Sequence, residues 1–357
     1  MSLDFSQAES LKSTVVRHSR AGDLSLYAEA QERGMTLSEL LEELDPTPAS
    51  REGLPEGPDA FARQMLVLGL AGTGRRAITV EDFYLGGGLI LLPEYIQREI
   101  ERGYRMVQDP TELLAASVPV GGPSVKPIYI KTAGAKESLA QRAEGAAYPG
   151  VQLLYREKEA AVVDKGRRFD FSYRVIRGQR LDEFRVFLWW IGAQLAYDEI
   201  DEIYGVIVNG DGTSPGATDV FAGTPGTWAY SDMVHLALSF DVPAHMTHII
   251  GTKEDIEKIL NLTQYQDPDT WHAAELFARQ GRYQGLLPMN AKLVVSPNAT
   301  ATKFAALDKR FAIRESVAQP LMIEAEKVIS QKLESAVISK ESVYTIMVDD
   351  ALKVSDY

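Results

Sequence analysis

Three acidic side chains, Glu199, Asp201 and Glu202, crowd one stretch of the chain, and two histidines, His245 and His248, crowd another. Paired carboxylates can serve general acid–base chemistry, and paired histidines can hold a metal. Neither spacing supports that chemistry here. On a helix, three carboxylates at near-consecutive positions fan apart rather than converge, so they are expected to form a solvated or subunit-facing edge. Pro243 and Ile249-Ile250 favour a strand around the histidines, where a separation of three puts the two on opposite faces. His18, His235 and His272 are isolated from one another.

Three loops imitate ligand sites. Gly69-Leu70-Ala71-Gly72-Thr73-Gly74-Arg75-Arg76 comes near a phosphate-binding loop, but arginines stand where Lys and Ser or Thr must be. It reads as a loop that ends a helix. Gly86 to Gly88 lacks the third glycine and the preceding strand of a dinucleotide fingerprint, and reads as a flexible joint. Asn209, Asp211 and Thr213 start like a calcium loop, but Ser214 and Val220 stand where Gly and Glu are needed. Trp189-Trp190 and Tyr283 have no basic residues interleaved, so they make no nucleic-acid stacking platform. No catalytic, cofactor-binding or metal-binding residue is assigned. A nucleotide- or metal-dependent enzyme is disfavoured for want of a convergent polar constellation.

The composition narrows the classes further. The chain has 357 residues and no cysteine, which removes disulfides, thiolate metal sites and thiol nucleophiles. Its net charge of -13, from 37 basic and 50 acidic residues, argues against a broad nucleic-acid-binding face. It does not exclude a container that holds nucleic acid without gripping it. No basic segment followed by an apolar run opens the sequence, so no secretory leader is expected. No stretch of about 20 apolar residues could span a membrane.

The element that must organise the rest is one long buried helix, Asp182 to Val208, stopped by Asn209-Gly210-Asp211-Gly212. Phe184, Leu188, Ile191 and Leu195 make one apolar stripe; Ala196, Ile200, Ile203 and Ile207 make a second on another face. A helix apolar on two faces is wrapped by protein. Residues 1 to 45 read as thin amphipathic helices that need a partner in this protein or a neighbour, with a capping box at Thr36-Leu37-Ser38-Glu39. Asp45 to Asp59 is a Pro/Gly linker, Ala60 to Leu70 a short helix, and Pro93 opens a helix through Arg105.

Leu113 to Ile130 reads as strand and turn. Val151 onward gives two extended runs split by a turn at Asp164-Lys165-Gly166. In the second run Phe169, Phe171, Tyr173 and Val175 alternate with charged or polar residues. Ile128 to Ile176 therefore reads as a long projecting hairpin. A lone hairpin is barely stable in water, so its apolar face is expected to meet another subunit. Beyond the long helix, helices are expected at Ser231 to Phe240 and Lys253 to Leu262. Strands are expected at Met246 to Ile250 and Leu293 to Val295. Phe311 to Tyr357 reads as short strands with a helical piece around Glu326 to Leu333. The irregular mixture favours an α+β fold.

In this order, the features resemble the major capsid proteins of tailed double-stranded-DNA bacteriophages, the Hong Kong ninety-seven-type capsid fold. A helical N-terminal arm precedes an extended loop carrying Glu144-Gly145 and Pro149 in A-E-G-A-A-Y-P-G. A long spine helix follows and closes in N-G-D-G. The resemblance covers about residues 85 to 357. It implies an arm over 1–88, with the linker at 45–59, and an extended loop over 128–165. It implies a peripheral domain over 89–127 and 166–219 that holds the spine helix 182–208. An axial domain over 220–301 and a returning segment over 302–357 complete the chain.

The implied protein is a structural subunit, not an enzyme. It self-assembles into hexamers and pentamers of an icosahedral virion shell around double-stranded DNA, built in the host cytoplasm. Its implied partners are copies of itself, a portal, and scaffolding or decoration proteins; DNA is enclosed without sequence-specific binding, and no membrane or cofactor is involved. Expected assembly contacts are Glu144, Tyr148, Pro149, Phe169, Phe171 and Tyr173. Gly145 stands where some members carry a cross-linking lysine, and no asparagine follows Asn298, so no such cross-link is expected. Some relatives cleave the region equivalent to residues 1 to 57; with Met1 heading this chain, a retained arm is expected. The same fold also builds encapsulin-type compartments that package an enzyme, which the long arm disfavours.

Overall fold

The computed structural model describes residues 6–21, 25–48, 57–70, 78–85, 87–107, 109–130, 153–172, 180–266, 290–328 and 333–357. The chain divides into two compact units. The first comprises Met1–Met106, Gly166–Ala193 and Met322–Ser339; the second comprises Val107–Lys165, Gln194–Leu321 and Lys340–Tyr357.

The first unit is mainly helical. Its helices are α1 Ser6–Ala21, α2 Ser25–Glu32, α3 Leu37–Leu44, α4 Ala60–Val67, α5 Glu81–Leu85 and α6 Leu92–Met106. The capping box at the start of α3 forms as expected: Glu39 N–H donates to Thr36 Oγ1, and Thr36 N–H donates to Glu39 Oε2. The thin stripes of the N-terminal helices find their partner within this unit. Ala8, Val15, Leu26, Leu40, Phe61, Met65 and Leu91 are buried together with polar pins. Arg63 donates to Asp45 at 2.9 Å in a buried pair. Gln64 reaches the carbonyl of Ala8 at 2.8 Å, and Tyr27 OH that of Ile90 at 2.7 Å.

The long helix, α7, spans Leu181–Asn209. It gives its first half to the first unit and the remainder, from Gln194, to the second. The second unit carries a five-stranded mixed sheet. Its strands are β7 Thr218–Asp219, β8 His248–Gly251, β9 Lys292–Val295, β10 Lys303–Leu307 and β13 Leu352–Asp356. They lie in the order β7-β13-β10-β8-β9. Strand periodicity sends alternate residues to opposite faces. Ala305, Leu307, Ile250 and Leu352 pack with Ile200, Ile203 and Ile207 of α7. Phe304, Ala306 and Ile249 turn the other way, into a core with α8 Tyr230–Leu238 and α9 Lys253–Leu260. The sheet is thus covered on both faces.

A four-stranded sheet holds β1 Ala116–Pro119, β6 Val163–Ser172, β11 Ile313–Val328 and β12 Leu333–Ile346, in the order β1-β11-β12-β6. Two expectations fail here. The turn at Asp164-Lys165-Gly166 is absent, because β6 runs straight through it. Gly166 serves close approach instead: a Cβ there would lie 2.7 Å from the Ile338 carbonyl oxygen. The chain bends earlier, at Glu157-Lys158, between β4 Leu153–Tyr155 and β5 Ala160–Ala161. The helical piece around Glu326 to Leu333 is also wrong, since Glu326 to Val328 end β11 and Leu333 opens β12. Pairing along the sheet overrides the local helix preference of E-A-E-K.

β3 Ile128–Ile130 pairs antiparallel with β4, with Ile128 opposite Tyr155 and Ile130 opposite Leu153. That ladder closes the base of the expected projecting segment. Most of the segment itself, 131–152, lies outside the described residues.

Candidate assembly site

The acidic residues of α7 do not converge, as their spacing predicts; of the solvated or subunit-facing edge expected of them, Glu202 is about a third exposed and Glu199 less. Each carboxylate is engaged inside the second unit. Glu199 accepts from Lys340 Nζ at 2.7 Å, and Glu202 accepts from Lys165 Nζ at 2.5 Å. Asp201 accepts from Ser296 Oγ and from Asn298 Nδ2. Lys340 also lies 2.8 Å from Glu315, which accepts from Ser117 at 2.8 Å. Burial alone would lower the Lys340 pKa, but Glu199 and Glu315 outweigh it and hold the ammonium above the ordinary lysine value. The row therefore fastens α7 to β1, β6, β11 and β12. It is a fixing device, not an acid–base pair.

The N-G-D-G turn works in the same way. Gly210 takes φ +90°, a left-handed conformation that ends the helix without steric cost. Asp211 then accepts from Thr213 N–H at 2.8 Å, Thr213 Oγ1 at 2.7 Å and Ser214 N–H at 2.6 Å. Its other oxygen accepts from the Ile346 N–H at 2.8 Å, at the end of β12. The calcium-loop imitation is thus a carboxylate saturated by protein donors.

The two histidines do not share a strand as expected: β8 begins at His248, and His245 precedes it. His248 is buried in β8, with Nδ1 2.9 Å from Thr247 Oγ1. Burial pulls its pKa down to about 4, helped by Lys292 and Lys309. His245 is half exposed, its Nδ1 2.7 Å from Arg310. Among the described residues no group of three or more metal-ligating side chains comes together. No helix there is long and apolar enough to cross a membrane.

Of the expected assembly contacts, Phe169 is half-buried in β6. Phe171 is also in β6, with only its backbone described; Glu144, Tyr148, Pro149 and Tyr173 lie outside the described residues. Sequence reasoning missed two surfaces. Val186 and Trp190, one helical turn apart on the first half of α7, are 57% and 59% exposed. Arg98, Arg102 and Arg105 line one side of α6 above a groove of about 900 Å³. The i, i+4, i+7 spacing of the arginines was available to find the second; nothing marked the first, because on a helix apolar on two faces no local pattern tells which further apolar residues stay uncovered.

The fold has counterparts among solved structures. The virus-like particle from Pyrococcus furiosus aligns over 74% of this chain and 99% of its own, at 12% identity and a TM-score of 0.51. The capsid of an empty GTA particle aligns over 70% of this chain and 91% of its own, at 15% identity and a TM-score of 0.48. The capsid of Cyanophage P-SCSP1u aligns over 68% and 86%, at 13% identity and a TM-score of 0.48. No family model and no curated protein sequence matches the chain. An α+β chain with a long helix fastened between sheets, aligned with nearly the whole of a particle-forming subunit, has the Hong Kong ninety-seven-type capsid fold.

Proposed function

We propose that this chain is the structural subunit of a closed icosahedral shell, assembling as hexamers and pentamers around packaged double-stranded DNA. The observation that carries the reading is the fold shared with a virus-like particle subunit over 99% of that subunit's length. The exposed apolar side chains support it. Val186 and Trp190 on α7, and Tyr155 at the base of the projecting segment, stand in water in a lone chain. Such surfaces mark contacts with other molecules.

In this reading residues 128–165 reach a neighbouring subunit, with Glu144, Tyr148, Pro149, Phe169, Phe171 and Tyr173 among the contacts. The peripheral domain, 89–127 and 166–219, carries the long helix. The axial domain, 220–301, meets its copies at hexamer and pentamer centres. A portal and scaffolding or decoration proteins complete the virion, assembled in the host cytoplasm. An acidic wall encloses acidic DNA by resisting its pressure rather than by binding it.

The contents of the particle test the reading. Particles purified from their native source and treated with nuclease should release protected double-stranded DNA on disruption. Particles that instead hold a folded enzyme and no DNA would establish the compartment alternative.

A further inference from the structure

The helices α1 to α3 pack on α4, α6 and the turn Leu89–Leu91 of the same unit. α3 is gripped at both ends. In its first turn Ser38 donates to Glu94 and accepts from Arg98 Nε at 2.8 Å, both on α6. Arg98 continues to Asp59, the N-cap of α4, at 2.6 Å, and lies 4.5 Å from the Phe61 ring centre. At the other end Asp45 caps α3. Arg63 of α4, only 4% exposed, donates from Nε to the Asp45 carboxylate at 2.9 Å and from Nη2 to the Asp45 carbonyl. A cation at a helix C-terminus meets carbonyls left without helical partners. Between the two grips Leu37, Leu40 and Leu41 are buried.

α1 is pinned in the same way. Lys12 Nζ donates at 3.0 Å to the carbonyl of Val67, the last residue of α4. Gln64, fully buried, donates at 2.8 Å to the Ala8 carbonyl. Val16 lies against Gly87, where a Cβ would come within 3.1 Å of it. Ser19 accepts from the Ile90 N–H at 3.3 Å, and Tyr27 donates to the Ile90 carbonyl at 2.7 Å. Lys12, Ser38 and Asp45 are thus bonded directly to α4 and α6. A buried amide and a buried ion pair with all their partners in place admit one arrangement.

We propose that residues 6–48 are a permanent part of the subunit, held by this clamp and not by the connecting chain, so that a cut between Pro48 and Gly57 does not release them. The clamp stands apart from the shell reading. Taken with that reading, the segment is wall material rather than a scaffold that is removed. Losing it would take Leu37, Leu40 and Leu41 out of the core of the first unit and strip Arg63 of its carboxylate.

Cutting the folded protein tests it. A protease recognition sequence is inserted between Arg51 and Glu52 of the full-length chain, and cleavage is verified on a denaturing gel. Sedimentation velocity then shows whether the N-terminal fragment travels with the body. At about 1 µM cut protein, a Kd of about 10 nM keeps about nine-tenths of the fragment bound, and that is the expected result. The double variant Arg63→Met/Arg98→Met should keep its helical content while uncut, because the intact chain holds the segment at high effective concentration. Once cut, it should release more than half of its fragment, a loss of about a hundredfold in affinity. A wild-type fragment that leaves on cutting overturns the proposal, and a double variant that keeps its fragment as wild type does overturns the clamp. In particles from the native source, intact mass should find residues 6–48 in every subunit, as one chain or as a stoichiometric fragment. Particles without them overturn the retention. A chain that makes no particles removes the shell reading, and the cutting experiment still decides the clamp.

Discussion

In the half of α7 from Gln194 to Asn209, Ile200, Ile203 and Ile207 are fully buried, and every acidic side chain between Glu199 and Glu202 has a partner within the same unit. The half from Leu181 to Ala193 buries Phe184, Leu188 and Ile191 as completely. Yet it leaves Val186 and Trp190 more than half exposed. One helix is therefore satisfied at one end by its own chain and left with apolar surface at the other. The difference separates two jobs. The second half anchors sheets whose packing the chain completes alone, and the first half presents surface that another molecule can cover.

Substitutions at the two ends should have opposite signatures. The largest effect is expected for Ile203→Ala, which opens a cavity where side chains from two layers meet. It should cost the unassembled subunit about 4 kcal/mol in denaturant unfolding, near the top of the range for such truncations. A loss below about 1 kcal/mol would mean that this half is loosely packed. Next comes Lys340→Met, which removes the cation that partly buried Glu199 and buried Glu315 share. It should cost about 3 kcal/mol by the same measurement.

Acid should weaken the second unit through His248. Its folded pKa of about 4 lies below the unfolded value of 6.5, so the unfolded chain takes up the proton first as pH falls. Stability is then complete above about pH 6.5, declines toward pH 4 and levels off below. The loss over that window should be about 3 kcal/mol from this group. His248→Gln should flatten that part of the stability–pH curve; an unchanged slope would assign the acid response elsewhere.

Asp211→Ala removes the carboxylate that ties the helix end to Ile346, and should cost about 1–2 kcal/mol. Smallest of all is Trp190→Ala. Its effect on the isolated subunit should stay within about 0.5 kcal/mol, as for other exposed positions. Any loss should appear in particle yield, which is the signature that distinguishes the open half from the closed one.

The helix itself was legible because its apolar residues recur at 3.6 spacing over many turns and Asn209-Gly210 supplies a stop. The capping box at Thr36 was legible for the same local reason; it lies within four residues of what it caps. What escaped reading was set at long range. Lys340 lies 141 residues from Glu199, and no local pattern announces that the two will pair. Gly166 looks like a turn residue until β12 is laid against it. E-A-E-K looks helical until the ladder claims it. Of the expected contact residues, Phe169 could be placed as a half-buried strand residue. Tyr148 and Pro149 were expected only through resemblance, because a small, polar stretch carries no period from which to derive a fold, and both lie outside the described residues.

In the proposed reading this chain tiles a closed wall with copies of itself. Electron microscopy of the purified full-length protein tests it most directly. Closed particles hundreds of ångströms across are the predicted result, and a monodisperse monomer persisting at high concentration would contradict it.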